Sequence, residues 1–233
     1  MTVASTLLFF ALPQEAAAFV GLGRGRGSVL RSIESPGPRP ALQRYAGRDL
    51  EVWVTGMGPV NAVRSGGVAL QTLRPDRVFT CGVAGALNPE ADVGAVFHEI
   101  DDGFPGADRL VATGSRPGRM LTLDRVVVTR SEKARLRSQT LADLVDMESA
   151  PLRDLARSLG VPSATVRAVS DTAHGDLPLD FNRVYTDDKT LHPGRLAWHI
   201  ARAPWRIPGL LRLGGDARKA SIRLAEVLWE TVG

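Results

Sequence analysis

Three carboxylate side chains stand where strands are expected to end or helices to begin. Glu15 follows the apolar run 6–12, Glu148 lies at the opening of a helical stretch, and Asp171 closes a β-branched run. Carboxylates in such places can orient water or act as general acids and bases. Each also has a structural explanation, because carboxylates stabilise first helical turns and cap the turns that follow strands. Taken singly, none of the three identifies an active site.

Two glycine-containing segments, Gly56-Met57-Gly58 and Gly82-Val83-Ala84-Gly85, follow predicted strands. The second segment is not a P-loop, because no Gly-Lys-Ser/Thr follows it, and it lacks the G-x-G-x-x-G spacing. Glycines at these places let the backbone approach a sugar or an anion closely, or simply make a tight connection between a strand and a helix. The motif alone leaves both interpretations open.

The elements that must position these groups alternate between strands and helices. Apolar and β-branched runs predict strands, and a 3.6-residue apolar period predicts helices. The predicted strands are 6–12, 50–55, 77–81, 93–100, 125–129 and 163–169; the predicted helices are 59–73, one capped by Ser131, 146–159, and the residues from 193 onward with breaks at Pro204 and Pro208. This alternation favours an α/β fold with a mainly parallel sheet, in which ligands bind beyond the carboxyl ends of the strands.

The first apolar run, Thr6-Leu7-Leu8-Phe9-Phe10-Ala11-Leu12, fits a buried strand better than a secretory signal. No basic residue precedes it and Glu15 interrupts soon after it, which a signal peptide does not favour. The single cysteine, Cys81, excludes an internal disulfide and a cysteine-based zinc site. The four histidines form no close ligand pair, so the sequence predicts neither a metal nor another cofactor.

The excess of basic over acidic residues is confined to the end of the chain. Lys and Arg number 29 against 25 Asp and Glu, but residues 189–233 hold eight basic and three acidic side chains. The remaining body is close to neutral, which argues against nucleic acid as a partner. The basic residues of the tail either solvate helices packed on the body or, with the tryptophans among them, meet an anionic lipid surface.

Together, the motifs resemble the nucleoside phosphorylase and nucleosidase family, which includes 5'-methylthioadenosine/S-adenosylhomocysteine nucleosidase. The resemblance covers roughly residues 5–175 and rests on the order of the motifs rather than on any one. They are Leu12-Pro13-Gln14-Glu15, Gly56-Met57-Gly58, the segment 82–87, Val145-Asp146-Met147-Glu148, and Val169-Ser170-Asp171. It implies a three-layer phosphorylase-type α/β fold with a central mixed, mainly parallel sheet flanked by helices. We expect one domain over 1–233, with 193–233 as a basic helical C-terminal extension.

The resemblance also implies roles in cleaving a purine N-glycosidic bond. Glu15 would activate the attacking water, Glu148 would hold the ribose hydroxyls, and Asp171 would protonate N7 of the leaving purine, for which it needs a proton at the working pH. Met147 would form the apolar wall beneath the sugar. The other expected substrate-binding residues are Gly58, Val83, Ala84, Gly85, Ser170 and, for the base, Val127, Val128 and Thr129.

The chain departs from the family pattern at two positions. Val83 stands where a serine often lies near the nucleophile, and Thr80 stands where phosphorylases carry a phosphate-binding arginine. Arg24 and Arg26 could still supply a phosphate site. The pattern favours hydrolysis of a 5'-substituted adenosine to release adenine. The alternatives are a phosphate-dependent purine nucleoside phosphorylase and a nucleoside- or lipid-binding module without catalysis.

The C-terminal segment 203–214 is similar to the hopanoid-associated branch of the family, which acts on an adenosylated lipid. That likeness would make the 5' substituent a polycyclic hydrocarbon and would place the basic helices against a membrane. We otherwise expect a small-molecule purine nucleoside as the ligand, a homodimer, and a cytoplasmic protein.

Overall fold

The computed structural model describes residues 5–28, 30–34 and 43–233. Short 3-10 helices lie at Phe181–Arg183 and Pro204–Arg206. The other elements are, in order, β1 (Thr6–Phe10), α1 (Pro13–Gly25), β2 (Arg31–Ser32), β3 (Gln43–Ala46), β4 (Leu50–Val54), α2 (Pro59–Leu73), β5 (Arg77–Ala86), β6 (Val96–Ile100), α3 (Ala107–Ala112), β7 (Arg116–Pro117), β8 (Met120–Thr122), α4 (Arg130–Thr140), β9 (Leu144–Asp146), α5 (Ser149–Ser158), β10 (Ser163–Asp171), α6 (Pro193–Arg202) and α7 (Ile207–Val232).

One sheet runs through the described chain in the order β2-β3-β4-β1-β5-β10-β6-β7, and β8 and β9 branch from the end of β5. The four central strands β4, β1, β5 and β10 are parallel. Strand β6 is antiparallel to β10, and β3 is antiparallel to β4. The sheet is therefore mixed and parallel at its centre, which confirms the predicted architecture.

Helices cover both faces of this sheet, and β1 shows how the sequence produces two cores. Successive side chains of a strand point to opposite faces. Leu7 and Phe9 pack in a cluster with α2 and α5, whereas Leu8 and Phe10 pack in a second cluster with α1 and α7. Every residue of β1 is buried, as expected of a parallel strand covered on both sides. The three-layer arrangement is thus confirmed.

The C-terminal helices differ in their environment. The second half of α7 is buried, and the Trp229 ring stacks on Phe19 of α1 with centroids 4.5 Å apart while its indole N–H donates to the Phe19 carbonyl oxygen at 2.7 Å. Helix α6 buries none of its residues. The break predicted at Pro204 is confirmed, but the break at Pro208 is wrong. Pro208 lies in the first turn of α7, where its missing N–H leaves no hydrogen bond unmade. None of the described helices is long and apolar enough to cross a membrane.

Two predicted boundaries beside the motifs are wrong. The strand predicted at 77–81 does not end there, because β5 continues through 82–85 and pairs with β10 and, at Gly85, with β9. Of the two interpretations of this segment, the tight connection between a strand and a helix is therefore excluded. The predicted helix 146–159 begins only at Ser149, because Leu144–Asp146 pairs with both β5 and β8 as β9. Met147 and Glu148 therefore lie in the connection between a strand and a helix.

The strand predicted at 125–129 is absent as well; the residues before it, Met120–Thr122, form β8. The Asn182 side chain bonds both the N–H and the carbonyl oxygen of Val126 at 2.9 Å, and so satisfies backbone groups that a neighbouring strand would otherwise bond. The helix that follows is capped by Thr129, whose hydroxyl accepts from the Glu132 N–H, rather than by Ser131.

Candidate active site

Glu15 lies in the first turn of α1, directly after the carboxyl end of β1, and is buried. Its Oε1 accepts a hydrogen bond from the Val83 N–H at 2.9 Å, and its Oε2 accepts one from the Leu12 N–H at 3.1 Å. Burial raises the pKa of Glu15 above its ordinary value, and the Val83 hydrogen bond and the positive charge of Arg167 oppose that rise. The carboxylate is more than a first-turn charge, because it reaches across to the backbone of β5.

Glu148 occupies the connection between β9 and α5 and is also buried. Its Oε1 accepts from the Gly58 N–H at 2.8 Å, so the glycine segment before α2 fixes its position. Gly58 adopts a φ of 87°, which favours glycine there. Burial raises the pKa of Glu148 to about 7; Arg167 opposes the rise and the negative charge of Asp146 adds to it.

Arg167, which the sequence analysis did not single out, lies in β10 between these carboxylates. Its Nε donates to Asp146 Oδ2 at 2.8 Å, and its Nη2 is 3.9 Å from Glu148 Oε2. Its Nη1 is buried without a hydrogen-bond partner among the described residues. The available signal was an arginine inside the otherwise apolar and β-branched run 163–169, because a charge in a buried strand requires partners.

Glu15 and Arg167 converge on the backbone at Gly82. A Cβ atom added to Gly82 would lie 3.0 Å from Glu15 Oε1 and 3.1 Å from Arg167 Nη1. Because Gly82 has no side chain, the space beside its Cα stays open. A hydrogen-bond acceptor, Glu15 Oε1, and a donor, Arg167 Nη1, both face this space. The glycine segment of β5 therefore serves a close approach rather than a turn.

Asp171 ends β10 at a register irregularity that follows Val169. The Ser170 hydroxyl lies 2.8 Å from Asp171 Oδ1 and 3.1 Å from the Ala84 carbonyl oxygen. Lys133 Nζ lies 2.5 Å from Asp171 Oδ2. Lys133 was also missed, because nothing in the charge-rich sequence of α4 distinguishes it from its neighbours.

Two cavities meet at Glu15. The smaller, of about 190 Å³, is lined by all three predicted catalytic residues and by Met147, Val83, Ala84, Gly85 and Ser170. The larger, of about 1080 Å³, shares Leu12, Glu15, Met57 and Val83 with it and extends to α7 and to the loop 185–191. Most of the site residues expected from the sequence are thus brought together at the carboxyl ends of β1, β5 and β10, where Met147 and Glu148 join them from the connection after β9.

Some expected residues lie elsewhere. Of the three residues expected at the base, Val127 lines the smaller cavity beside Val126, whereas Val128 and Thr129 line neither cavity. Thr129 instead caps α4. Gly58 lines neither cavity but holds Glu148 through its N–H. The alternative phosphate ligands Arg24 and Arg26 also lie outside both linings.

Comparison with known proteins gives similar folds and sequences. An aminodeoxyfutalosine nucleosidase from Campylobacter jejuni is 26% identical over 171 residues, which cover 60% of this chain and 75% of that protein. A futalosine hydrolase from Streptomyces coelicolor is 30% identical over 185 residues, 63% of this chain and 79% of that protein. The crystal structure of a 5'-methylthioadenosine/S-adenosylhomocysteine nucleosidase from Helicobacter pylori superposes with a TM-score of 0.71 at 15% identity, covering 100% of this chain and 99% of that one, and so shares the fold.

The sequence profile of the Phosphorylase superfamily matches residues 8–97 and 108–191. The matched ranges contain Glu15, Glu148, Arg167 and Asp171, and they run from β1 to the loop that borders the larger cavity. On this match over most of its length, the chain belongs to the phosphorylase superfamily.

Proposed function

We propose that the protein is a purine nucleosidase that hydrolyses the N-glycosidic bond of a 5'-substituted adenosine and releases adenine. The aligned relatives carry the names of a nucleosidase and a hydrolase. The observation that carries the proposal is the convergence of Glu15 and Arg167 Nη1 at Gly82, beside a cavity that is also lined by Asp171. Hydrolysis of this kind needs one group to activate water and another to protonate the leaving base.

Glu15 is assigned to the attacking water. Its raised pKa brings the buried carboxylate closer to neutral pH, where a general base works best. Arg167 Nη1 would donate to the same water oxygen. A phosphate dianion at this place would lie near three carboxylates, those of Glu15, Asp146 and Glu148, with only the Arg167 guanidinium to balance them. Repulsion between like charges is strong in a buried site because little water screens it. The charge balance therefore favours water over phosphate as the nucleophile.

Glu148 is assigned to the ribose. The Gly58 N–H holds its Oε1, which leaves Oε2 to accept a ribose hydroxyl proton. The same negative charge would stabilise the oxocarbenium-like ribosyl centre that forms as the bond breaks. Asp171, which also lines the smaller cavity, is assigned to N7 of the purine, with Ala84, Val127 and Val145 as apolar walls for the base.

The larger cavity is assigned to the 5' substituent. It adjoins the smaller one at Glu15 and Met57, and its volume of about 1080 Å³ far exceeds the space that a methylthio group occupies. Apolar residues of α1 and α7 form part of its wall, among them Ala17, Ala18 and Ile222. This favours 5' groups that are larger than methylthio and mainly apolar.

The test is adenine release from a panel of adenosines with 5' groups of increasing size, each assayed with and without phosphate. We expect free adenine and free sugar without phosphate, and loss of turnover in the Asp171→Asn variant with the fold intact. Strict phosphate dependence with formation of a sugar 1-phosphate would reject hydrolysis. Binding of adenine without cleavage of any nucleoside would instead support the non-catalytic alternative.

A further inference from the structure

The Lys133 side chain is completely buried, and oxygen atoms surround its ammonium group. Its Nζ donates to Asp171 Oδ2 at 2.5 Å, to the Thr172 carbonyl oxygen at 2.7 Å and to the Gly175 carbonyl oxygen at 3.3 Å. An ammonium has three N–H donors, so each has an acceptor. This satisfied geometry is what a buried charge requires.

The contact raises a difficulty for Asp171 as a general acid. Its Oδ2 faces the Lys133 ammonium, which can only donate, so this oxygen accepts a hydrogen bond and does not carry the proton that a general acid needs. Its Oδ1 lies beside the Ser170 hydroxyl, which has the Ala84 carbonyl oxygen as a second acceptor. The proton for the purine must reach Asp171 from a neighbouring donor or from solvent, and Lys133 is the neighbouring cation.

We propose that Lys133 is a positioning residue that stores this proton and loads Asp171 with it, an inference that rests on the proposed function. One N–H proton of Lys133 passes to Asp171 Oδ2, leaving a neutral amine and a carboxylic acid. Asp171 then gives a proton to purine N7 as the C1'–N9 bond breaks, and the electron pair of that bond stays on the base. Lys133 regains a proton from water after adenine leaves.

None of the other charged groups that line the smaller cavity is placed to do this. The remaining charged residues that line the smaller cavity bond elsewhere: Arg125 pairs with Glu132, Asp146 and Glu148 face Arg167, and Glu15 is held by the Val83 and Leu12 N–H groups. Lys133 is also held in place by the two loop carbonyls, so its Nζ stays beside Asp171.

The test compares Lys133→Met and Lys133→Arg with the wild type, using the nucleoside that the wild type cleaves best. Methionine keeps the length of the side chain but removes the donor, whereas arginine keeps the charge but does not release its proton. We expect both variants to lose about 10²-fold or more in kcat with little change in KM. The control is Arg135→Met, which removes an exposed cation of the same helix without touching Asp171 and should leave kcat unchanged.

The pH dependence of kcat distinguishes proton supply by Lys133 from a purely structural role. In Lys133→Met, Asp171 can still take a proton directly from solvent, so the ratio of variant to wild-type kcat should rise as the pH falls. The ratio cancels the titration of Glu15 and Glu148, which both enzymes share. A ratio that is constant with pH would overturn the inference, as would wild-type turnover in a folded Lys133→Arg variant.

A measurement on the wild type covers the case in which neither variant folds. Single-turnover rates should not fall as the pH rises above neutral, because Lys133 rather than solvent supplies the proton that Asp171 passes on. A rate that falls in proportion to the proton concentration, as it would if Asp171 drew its proton from solvent, would overturn the inference while leaving the nucleosidase proposal intact. If the wild type cleaves no nucleoside at all, the proposed function fails first and this inference with it.

Discussion

At the scale of single residues, the site is dominated by an excess of buried negative charge. Glu15, Asp146 and Glu148 all raise the pKa of one guanidinium, that of Arg167, and all four side chains are buried. Carboxylates that outnumber their cation are costly to bury, but they suit a reaction whose sugar becomes positively charged in the transition state. The residues that catalysis would use are therefore also the residues that weaken the folded state.

Glu148→Gln tests that cost through the dependence of stability on pH. Burial raises the pKa of Glu148 from 4.5 to about 7 in the folded protein. Between these values the folded state binds more protons than the unfolded state, so Glu148 lowers the free energy of unfolding as the pH rises through this window. The glutamine variant lacks this loss, and we expect it to be more stable than the wild type above pH 7, by up to about 3 kcal/mol, with no difference below pH 4.5.

The measurement is thermal unfolding of both proteins at several pH values across this window, together with adenine release. Turnover should be lost in the variant even where its stability is higher. A stability difference that does not change with pH would show that Glu148 does not titrate differently in the two states.

The sequence revealed the three carboxylates but neither of the cations that they face. Glu15 and Asp171 were found because each follows a recognisable buried strand, and Glu148 because its segment resembles a family motif. Arg167 could have been noticed as a charge within a buried strand. Lys133 could not, because its partner lies on another element and only the packing of α4 against the end of β10 makes it a buried charge.

At the scale of elements, the errors near the site share one cause, which is pairing between distant strands. The strand predicted to end at 81 continues in β5, which pairs with β10 and β9, and the helix predicted to begin at 146 is preceded by β9, which pairs with β5 and β8. Local propensity cannot reveal such pairing, since the partners come from separate parts of the chain. Strands β1, β4 and β10 and the long helix α2 were predicted well because their own apolar patterns determine them.

Helix α1 carries Glu15 and is fixed at its other end by α7, which two glycines of the same helix can test. A Cβ atom added to Gly23 would lie 2.2 Å from Trp229, whereas one added to Gly21 would meet nothing within 4 Å. We expect Gly23→Ala to destabilise the protein by about 1–3 kcal/mol through overpacking. Gly21→Ala should stabilise it by roughly 0.5–1 kcal/mol, because alanine is the better helix former.

Urea unfolding of both variants measures the two effects, and adenine release shows whether displacement of α1 reaches Glu15. We expect Gly23→Ala to lose activity and Gly21→Ala to keep it. Equal stability of the two variants would mean that the contact between α1 and α7 adapts to the added methyl group.

At the scale of the whole molecule, the basic charge of residues 189–233 is divided between two situations. The second half of α7 is packed on the body, and Arg223 lies on the exposed side of this docked helix. The region of α6 and the turn after it differs, because Trp198 and Trp205 are 53% and 73% exposed and the Arg202 guanidinium lies 4.5 Å from the Trp198 ring centroid. Exposed tryptophans among arginines are typical of segments that lie in a lipid interface.

We therefore predict that the protein binds vesicles containing anionic lipid, and that binding weakens as salt is added. Replacing both Trp198 and Trp205 with serine should lower the bound fraction in co-sedimentation, while unfolding stability stays near that of the wild type because neither ring is buried. The control lipid is uncharged phosphatidylcholine. Absence of binding to anionic vesicles at low salt would leave solvation of the helices as the role of these arginines.

The parallel order β4-β1-β5-β10 has a consequence for how activity is acquired. Glu15 follows β1, the first strand along the chain, and Arg167 lies in β10, the last. They meet only after these two segments, which come from opposite ends of the matched sequence, have both paired with β5. Pairing between distant strands is a slow part of folding, whereas helices form early. Recovery of turnover during refolding should therefore lag behind recovery of helical signal, and no fragment that lacks β1 or β10 should retain a fraction of the activity.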